Sequence, residues 1–209
     1  MSQMREPPDP KTFFTERFPS QLNQLLAEQE HAAAAAQRAL EGMRAVDASI
    51  GFEVRGAGGG RWFVNIAGGR SRPADAPAHP PFLHVAIERS DFERLWREAG
   101  DNVLGFLGGV SGLGAPIKLT RARVEQIAAV AGTLGFELVG EGGFRLLAQL
   151  GAGEPVEPPQ TTIRVDTQAY RELRSGALAP QDAFLAGKIQ VEGDMQLAMQ
   201  LALAVLSPD

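Results

Sequence analysis

Cysteine is absent from the chain, which removes thiol nucleophiles, iron–sulfur ligation, zinc fingers and disulfides from the chemistry available to it. The three histidines, His31, His79 and His84, fall in different elements and at no metal-ligand spacing, so no metal site is expected. The stretch GGVSGLG at 108–114 approaches the G-x-S-x-G nucleophile elbow, but counting from Gly109 its fifth position is Leu113. It also leads into a strand, where that elbow opens a helix. GAGGG at 56–60 has no helix after it to aim backbone N–H groups at a phosphate, so it is neither a Walker loop nor a dinucleotide fingerprint. A hairpin turn accounts for it. Carboxylates alternate with arginine, as in ERSDFERLWRE at 88–98, which makes a solvated helix face and not an acid–base pair. No catalytic residue, no cofactor and no enzymatic activity are expected.

Composition narrows the remaining classes. The chain has 209 residues and a formal net charge of −5, a poor basis for releasing counterions from nucleic acid. Its 44% hydrophobic and 22% charged residues are ordinary for a globular protein. No apolar run approaches the ~18 residues of a membrane span, and MSQMREPPDPKTFF lacks the basic-then-apolar order of a secretory signal. A cytoplasmic protein with no integral membrane segment and no nucleic-acid partner is the expectation.

Several elements can be placed by pattern. Residues 1–17, with Pro7, Pro8 and Pro10, read as a disordered arm. A long helix follows, with Ser20 as N-cap, apolar positions Leu22, Leu25, Leu26, Leu40, Met43 and Val46, and the run Ala32–Ala36 between them. Its shallow apolar face is expected to pack on its own domain or, in a homodimer through 20–47, on a second copy. Phe52, Val54, the glycine turn, Trp62 and Val64 form a hairpin pattern, and Phe82–Ile87 reads as a strand. Ser90 and Glu93 make a capping box for the helix holding Phe92, Leu95 and Trp96. The GGVSGLGAP loop leads to a short strand, Ile117–Leu119, and then to a helix over 121–134.

This programme recurs. GFEVRGAGGGRWFVNI at 51 answers GFELVGEGGFRLLAQL at 135, an offset of 84 residues (Phe52 to Phe136). PFLHVAIERSDFERL answers QTTIRVDTQAYREL, and VLGFLGG answers QDAFLAG, both at 78 (Phe92 to Tyr170, Phe106 to Phe184). IKLT answers IQVE at 72 (Ile117 to Ile189). The offset shrinks only in loops, as duplicated structure allows. Two units are expected: 18–134, comprising the N-terminal helix and a diverged copy, and 135–209. EPVEPP at 154–159 is then a loop inside the second unit.

Residues 161–206 resemble the sterol carrier protein-2 (SCP-2) family of lipid-binding domains. The resemblance rests on Leu173 and Gly176, then Pro180, Ala183, Phe184, Gly187 and Lys188, then Val191 and Gly193, and the apolar helix from Met195. The first unit departs from it: Gly105 replaces the alanine before Phe106, and no lysine follows Gly109. The resemblance implies an α+β fold, its largely antiparallel sheets carrying helices packed on one face, and the repeat adds internal duplication. It also implies an apolar site for a fatty acyl, sterol-like or isoprenoid lipid. The ligand-facing residues would be Phe136, Phe144, Leu146, Tyr170, Leu173, Phe184, Ile189, Met195 and Met199.

The last helix agrees on its own terms. From Met195 to Leu206 there is no charge, and its polar side chains are Gln196 and Gln200, so it must be buried or must cover something apolar. Gly187 and Lys188 suit a helix C-terminus, through a left-handed backbone and the helix dipole. The expected function is non-catalytic binding or transfer of a hydrophobic small molecule or lipid. The alternative is an interaction or scaffold module with a filled core, accessory to an enzyme acting on apolar substrates.

Overall fold

The computed structural model describes residues 9–99 and 117–206. The expected GGVSGLGAP loop and the VLGFLGG counterpart of QDAFLAG lie outside these residues. Contacts divide the chain into two compact units, Met1–Leu40 and Glu41–Asp209.

Helical structure starts earlier than composition suggests. Asp9 caps a short turn, Pro10–Thr12, by accepting from the Thr12 backbone N–H at 3.0 Å. A π-helical turn, Phe13–Arg17, carries the chain into α1, Phe18–Arg44. Residues 10–17 are therefore helical instead of a loose arm, and Ser20 lies inside a helix instead of capping one. Three phenylalanines explain the extension: Phe13, Phe14 and Phe18 bring their rings together across these turns, with centroids 5.1–6.5 Å apart.

The described residues of the second unit are built on one mixed sheet of eight strands in the order β3-β2-β1-β4-β6-β5-β7-β8. The strands are β1 (Ala48–Arg55), β2 (Gly60–Ala67), β3 (Arg70–Ala74), β4 (Leu83–Glu88), β5 (Gly132–Val139), β6 (Arg145–Leu150), β7 (Thr161–Asp166) and β8 (Ile189–Gly193). Pairing is antiparallel except for β1 with β4 and β5 with β7. The two expected sheets are thus one, joined where β4 pairs with β6 through Val85↔Ala148 and Ile87↔Leu146. β3 has no hydrophobic alternation and was not legible as a strand; Pro73 is tolerated because β3 is the sheet edge.

Each hairpin is closed by glycine for a steric reason. The Gly59 N–H donates to Gly56 O at 3.1 Å, and the Gly143 N–H donates to Gly140 O at 3.0 Å. A Cβ at Gly59 would overlap the Val54 carbonyl, and one at Gly143 the Leu138 carbonyl, so no side chain fits either turn.

Among the described residues, five helices follow α1: α2 (Arg89–Ala99), α3 (Arg121–Val130), α4 (Thr167–Arg174), α5 (Pro180–Leu185) and α6 (Met195–Leu206). They pack on the apolar face of the sheet, where strand alternation places Ile50, Leu134, Phe136, Leu138, Leu146 and Val165. α2 starts at Arg89, one residue before the expected cap, and Arg89 holds Glu93 at 3.0 Å. Residues 117–120 form no strand; instead Thr120 caps α3, its side chain accepting from the Arg123 backbone N–H. That helix ends at Val130, short of the expected 134, because Ala131 turns left-handed (φ 49°) and β5 begins at Gly132.

The opposite face of the sheet is polar. Loop 151–160 lies on it, pinned by the Val156 N–H to Thr133 Oγ1 (3.2 Å) and the Gln160 N–H to Thr133 O (3.0 Å). EPVEPP is therefore a fixed loop between β6 and β7, and not a linker.

Candidate functional site

The apolar side of the second hairpin gathers most of the expected ligand-facing residues. Phe136 on β5 and Leu146 on β6 pair across the hairpin, and Phe144 precedes β6. The Phe136 and Phe144 rings lie 6.0 Å apart, at aromatic pair distance. α4 supplies Tyr170 and Leu173 from above; the Asp166 carboxylate caps that helix by accepting from Gln168 and Ala169 N–H groups at 2.9 and 3.2 Å. All five belong to one buried cluster, and Ile189 of β8 packs against it. Tyr170 is fully buried, and that burial raises its phenol pKa while Arg174 beside it works the other way.

The other three residues face outward. Phe184 on α5 is 49% exposed, and Met195 and Met199 on α6 are 44% and 59% exposed. The inward side of α6 is instead Leu197, Ala198, Leu201 and Ala204, at positions i, i+1, i+4 and i+7. Leu197 joins the cluster of the second hairpin, Ala204 joins that of Val46, Ile50 and Phe82, and Leu201 packs on both. An uncharged helix offers sequence reasoning no polar face to orient it; the neighbouring Leu197 and Ala198 signal was available but indistinguishable from the methionines.

Lys188 is engaged structurally. Gly187 adopts φ 70°, the Lys188 N–H reaches Ala183 O at 2.9 Å, and its ammonium meets Glu172 Oε2 at 2.8 Å. The hydrogen bond from Lys188, with another from Gln168, lowers the Glu172 carboxyl pKa. A second clamp joins α2 to α4: Arg171 holds both Glu98 oxygens at 3.1 and 2.9 Å, and Arg174 donates to the Glu98 carbonyl at 3.0 Å. The Arg171 hydrogen bond keeps the Glu98 carboxyl below its ordinary pKa, against the opposing effect of burial.

On the polar face, Glu53, His84 and Glu154 bring ligand-type atoms within 4.8 Å of one another. Sequence spacing could not show this, since β1, β4 and loop 151–160 supply one residue each. Arg61 spans the two carboxylates at 3.1 Å from each, and Arg55 adds 3.1 Å to Glu53. The cation between these carboxylates is a guanidinium, so the group acts as an ion-pair network holding loop 151–160. His84 is buried against Gly51, where a Cβ would stand 3.0 Å from its ring.

Among the described residues, no helix is long and apolar enough to cross a membrane. The model of the SCP-2 sterol transfer family matches residues 117–205. Hydroxysteroid dehydrogenase-like protein 2 of Bos taurus is 34% identical over 73 residues, covering 32% of this chain and 18% of that protein. The chain thus spans under a fifth of the length of the curated relatives it matches. The crystal structure of sterol carrier protein 2 like 2 from Aedes aegypti is 19% identical, covering 46% of this chain and 90% of that one, with a TM-score of 0.30. The solution structure of the sterol carrier protein domain 2 of Helicoverpa armigera is 24% identical, with 52% and 82% covered and a TM-score of 0.33. The match at residues 117–205 takes in α3, strands β5 to β8 and helices α4 to α6.

Proposed function

We propose that this chain binds a lipid with a long apolar body, an acyl chain or fused-ring skeleton, between the second hairpin and α6, without transforming it. The observation that carries this reading is the convergence of Phe136, Phe144, Leu146, Tyr170 and Leu173 on one sheet face under a helix with no charge. Burying about ten CH₂ groups at ~0.8 kcal/mol each contributes about 8 kcal/mol, the level of micromolar binding, with no polar contact required. The ligand enters by displacing the inward side of α6, Leu197 and Leu201. The relatives' name points to dehydrogenase-like chemistry, but the glycine run at 56–60 serves a hairpin here. We read the chain's part as binding, in the cytoplasm. Native mass spectrometry of the purified chain after incubation with palmitate tests this. A one-to-one adduct that survives mild activation is expected, and its absence overturns the reading in favour of a scaffold whose core is filled by Tyr170, Leu173 and their neighbours.

We further read residues 41–206 as two diverged copies, the first within 18–134 and the second within 135–209. Strand registers support this: Phe52 pairs with Trp62 and Val85, while Phe136 pairs with Leu146 and Ile163, at the offsets of 84 and 78. Polar contacts agree as well. Ser49 Oγ donates to Asn65 at 2.6 Å and Thr133 Oγ1 to Gln149 at 2.6 Å, both 84 apart in both partners. Glu53 pairs with Arg61 as Glu137 pairs with Arg145.

A further inference from the structure

We propose that residues 10–40 form a homodimer interface in which the N-terminal helices of two copies pair antiparallel, centred between Leu22 and Leu25. Phe14, Phe18, Leu22, Leu25 and Leu26 recur at helical spacing along one side and are all exposed, Phe14 by 66% and Leu26 by 59%. Ala32, Ala33 and Ala36 continue the same stripe. A helix this long with one uncovered apolar side needs a partner to be stable in water.

The stripe is complementary to itself when reversed. Its amino-terminal end is bulky, with Phe13, Phe14 and Phe18 in ring contact, and its carboxy-terminal end is a run of alanines. Antiparallel pairing about the Leu22–Leu25 centre sets Leu22 against Leu25, Phe18 against Gln29 and Phe14 against Ala33, so no phenylalanine meets another. The same register sets Arg17 opposite Glu30, with Glu28 within one turn of that position, an attraction that also fixes direction. Parallel pairing would instead crowd phenylalanine on phenylalanine and set Glu28 against its own copy. A lipid surface is a poorer occupant: residues 10–40 carry Lys11, Arg17 and Arg38 against Glu16, Glu28 and Glu30. That balance leaves no basic face to draw the helix to anionic headgroups.

Sedimentation velocity of the full chain from about 1 to 100 µM tests this, a range that brackets the micromolar affinity a standard-size interface reaches. A species of twice 22.3 kDa is expected. The double variant Leu22→Glu, Leu25→Glu is expected to weaken association at least ~100-fold, ten-fold for each anchor lost, while the far-ultraviolet spectrum of the remaining fold persists. Arg17→Glu weakens the dimer, and adding Glu28→Arg with Glu30→Arg restores it only if the helices run antiparallel. A wild-type monomer at the highest concentration overturns the proposal. So does a dimer indifferent to the double variant, or a charge swap that fails to restore association. Sedimentation of monomeric wild-type chain with phosphatidylcholine–phosphatidylserine vesicles would assign the stripe to membranes instead.

Discussion

The two sides of α6 make opposite predictions from residues two positions apart. Leu197 is 6% exposed and packs into the cluster of Phe136, Tyr170 and Leu173, whereas Met199 is 59% exposed. Leu197→Ala removes about three methyl or methylene groups at ~0.8 kcal/mol each, or about 2.4 kcal/mol. A residual cavity adds to this, so the cost is about 2–5 kcal/mol. Met199→Ala deletes a side chain already mostly in water and is expected to change stability by less than about 0.5 kcal/mol. In urea unfolding, with a slope of about 2–3 kcal/mol/M for a chain of this length, Leu197→Ala lowers the midpoint by about 1 M and Met199→Ala leaves it in place. In a thermal melt the first variant loses about 5–15 °C. Equal effects, or a larger effect at Met199, would mean that α6 presents its methionine face to the sheet, and the packing argued for the ligand site would be refuted.

Other outcomes follow from the polar contacts. Glu98→Gln removes a bidentate partner of Arg171 and is expected to cost about 1 kcal/mol at neutral pH. The folded-state pKa of Glu98 is depressed below its ordinary 4.5, so its contribution is present above that value and lost as pH falls through the folded pKa. The gap between wild type and variant in urea midpoint should therefore narrow as pH falls below 4.5 and close once the folded-state carboxylate is protonated; a gap that persists at acid pH refutes the ion-pair account. Gly51→Ala drives a Cβ to 3.0 Å from the His84 ring and should destabilise by about 1–3 kcal/mol. In a His84→Ala background, thermal melts should show most of that cost gone, and additivity of the two changes would contradict the contact.

The sheet was largely legible because its strands advertise alternation. Phe52, Val54, Phe136 and Leu138 mark one face at period two, and glycine turns mark both hairpins, so strands and repeat offsets emerged together. β3 was hidden because an edge strand carrying Pro73 and three polar residues has no apolar face to show. The fusion of two expected sheets into one depends on the β4–β6 pairing, a long-range contact that periodicity cannot encode. For the site, Phe136, Phe144, Leu146, Tyr170 and Leu173 were found because each sits on an amphipathic element with a clear inward side. The outward direction of Met195 and Met199 is not legible because α6 is apolar all round, and only packing decides which side turns in. The Glu53–Arg61–Glu154 network, drawn from β1, β2 and a loop, left no local trace at all.

The claim that the second hairpin and α6 enclose a lipid is tested most directly by titrating the 209-residue chain with a fluorescent fatty acid and competing it with unlabelled palmitate. Saturable one-to-one binding in the micromolar range, fully displaced by palmitate and abolished when urea unfolds the chain, is the predicted result. A signal that never saturates up to about 100 µM, well past the micromolar affinity argued above, or that palmitate fails to displace, would contradict it.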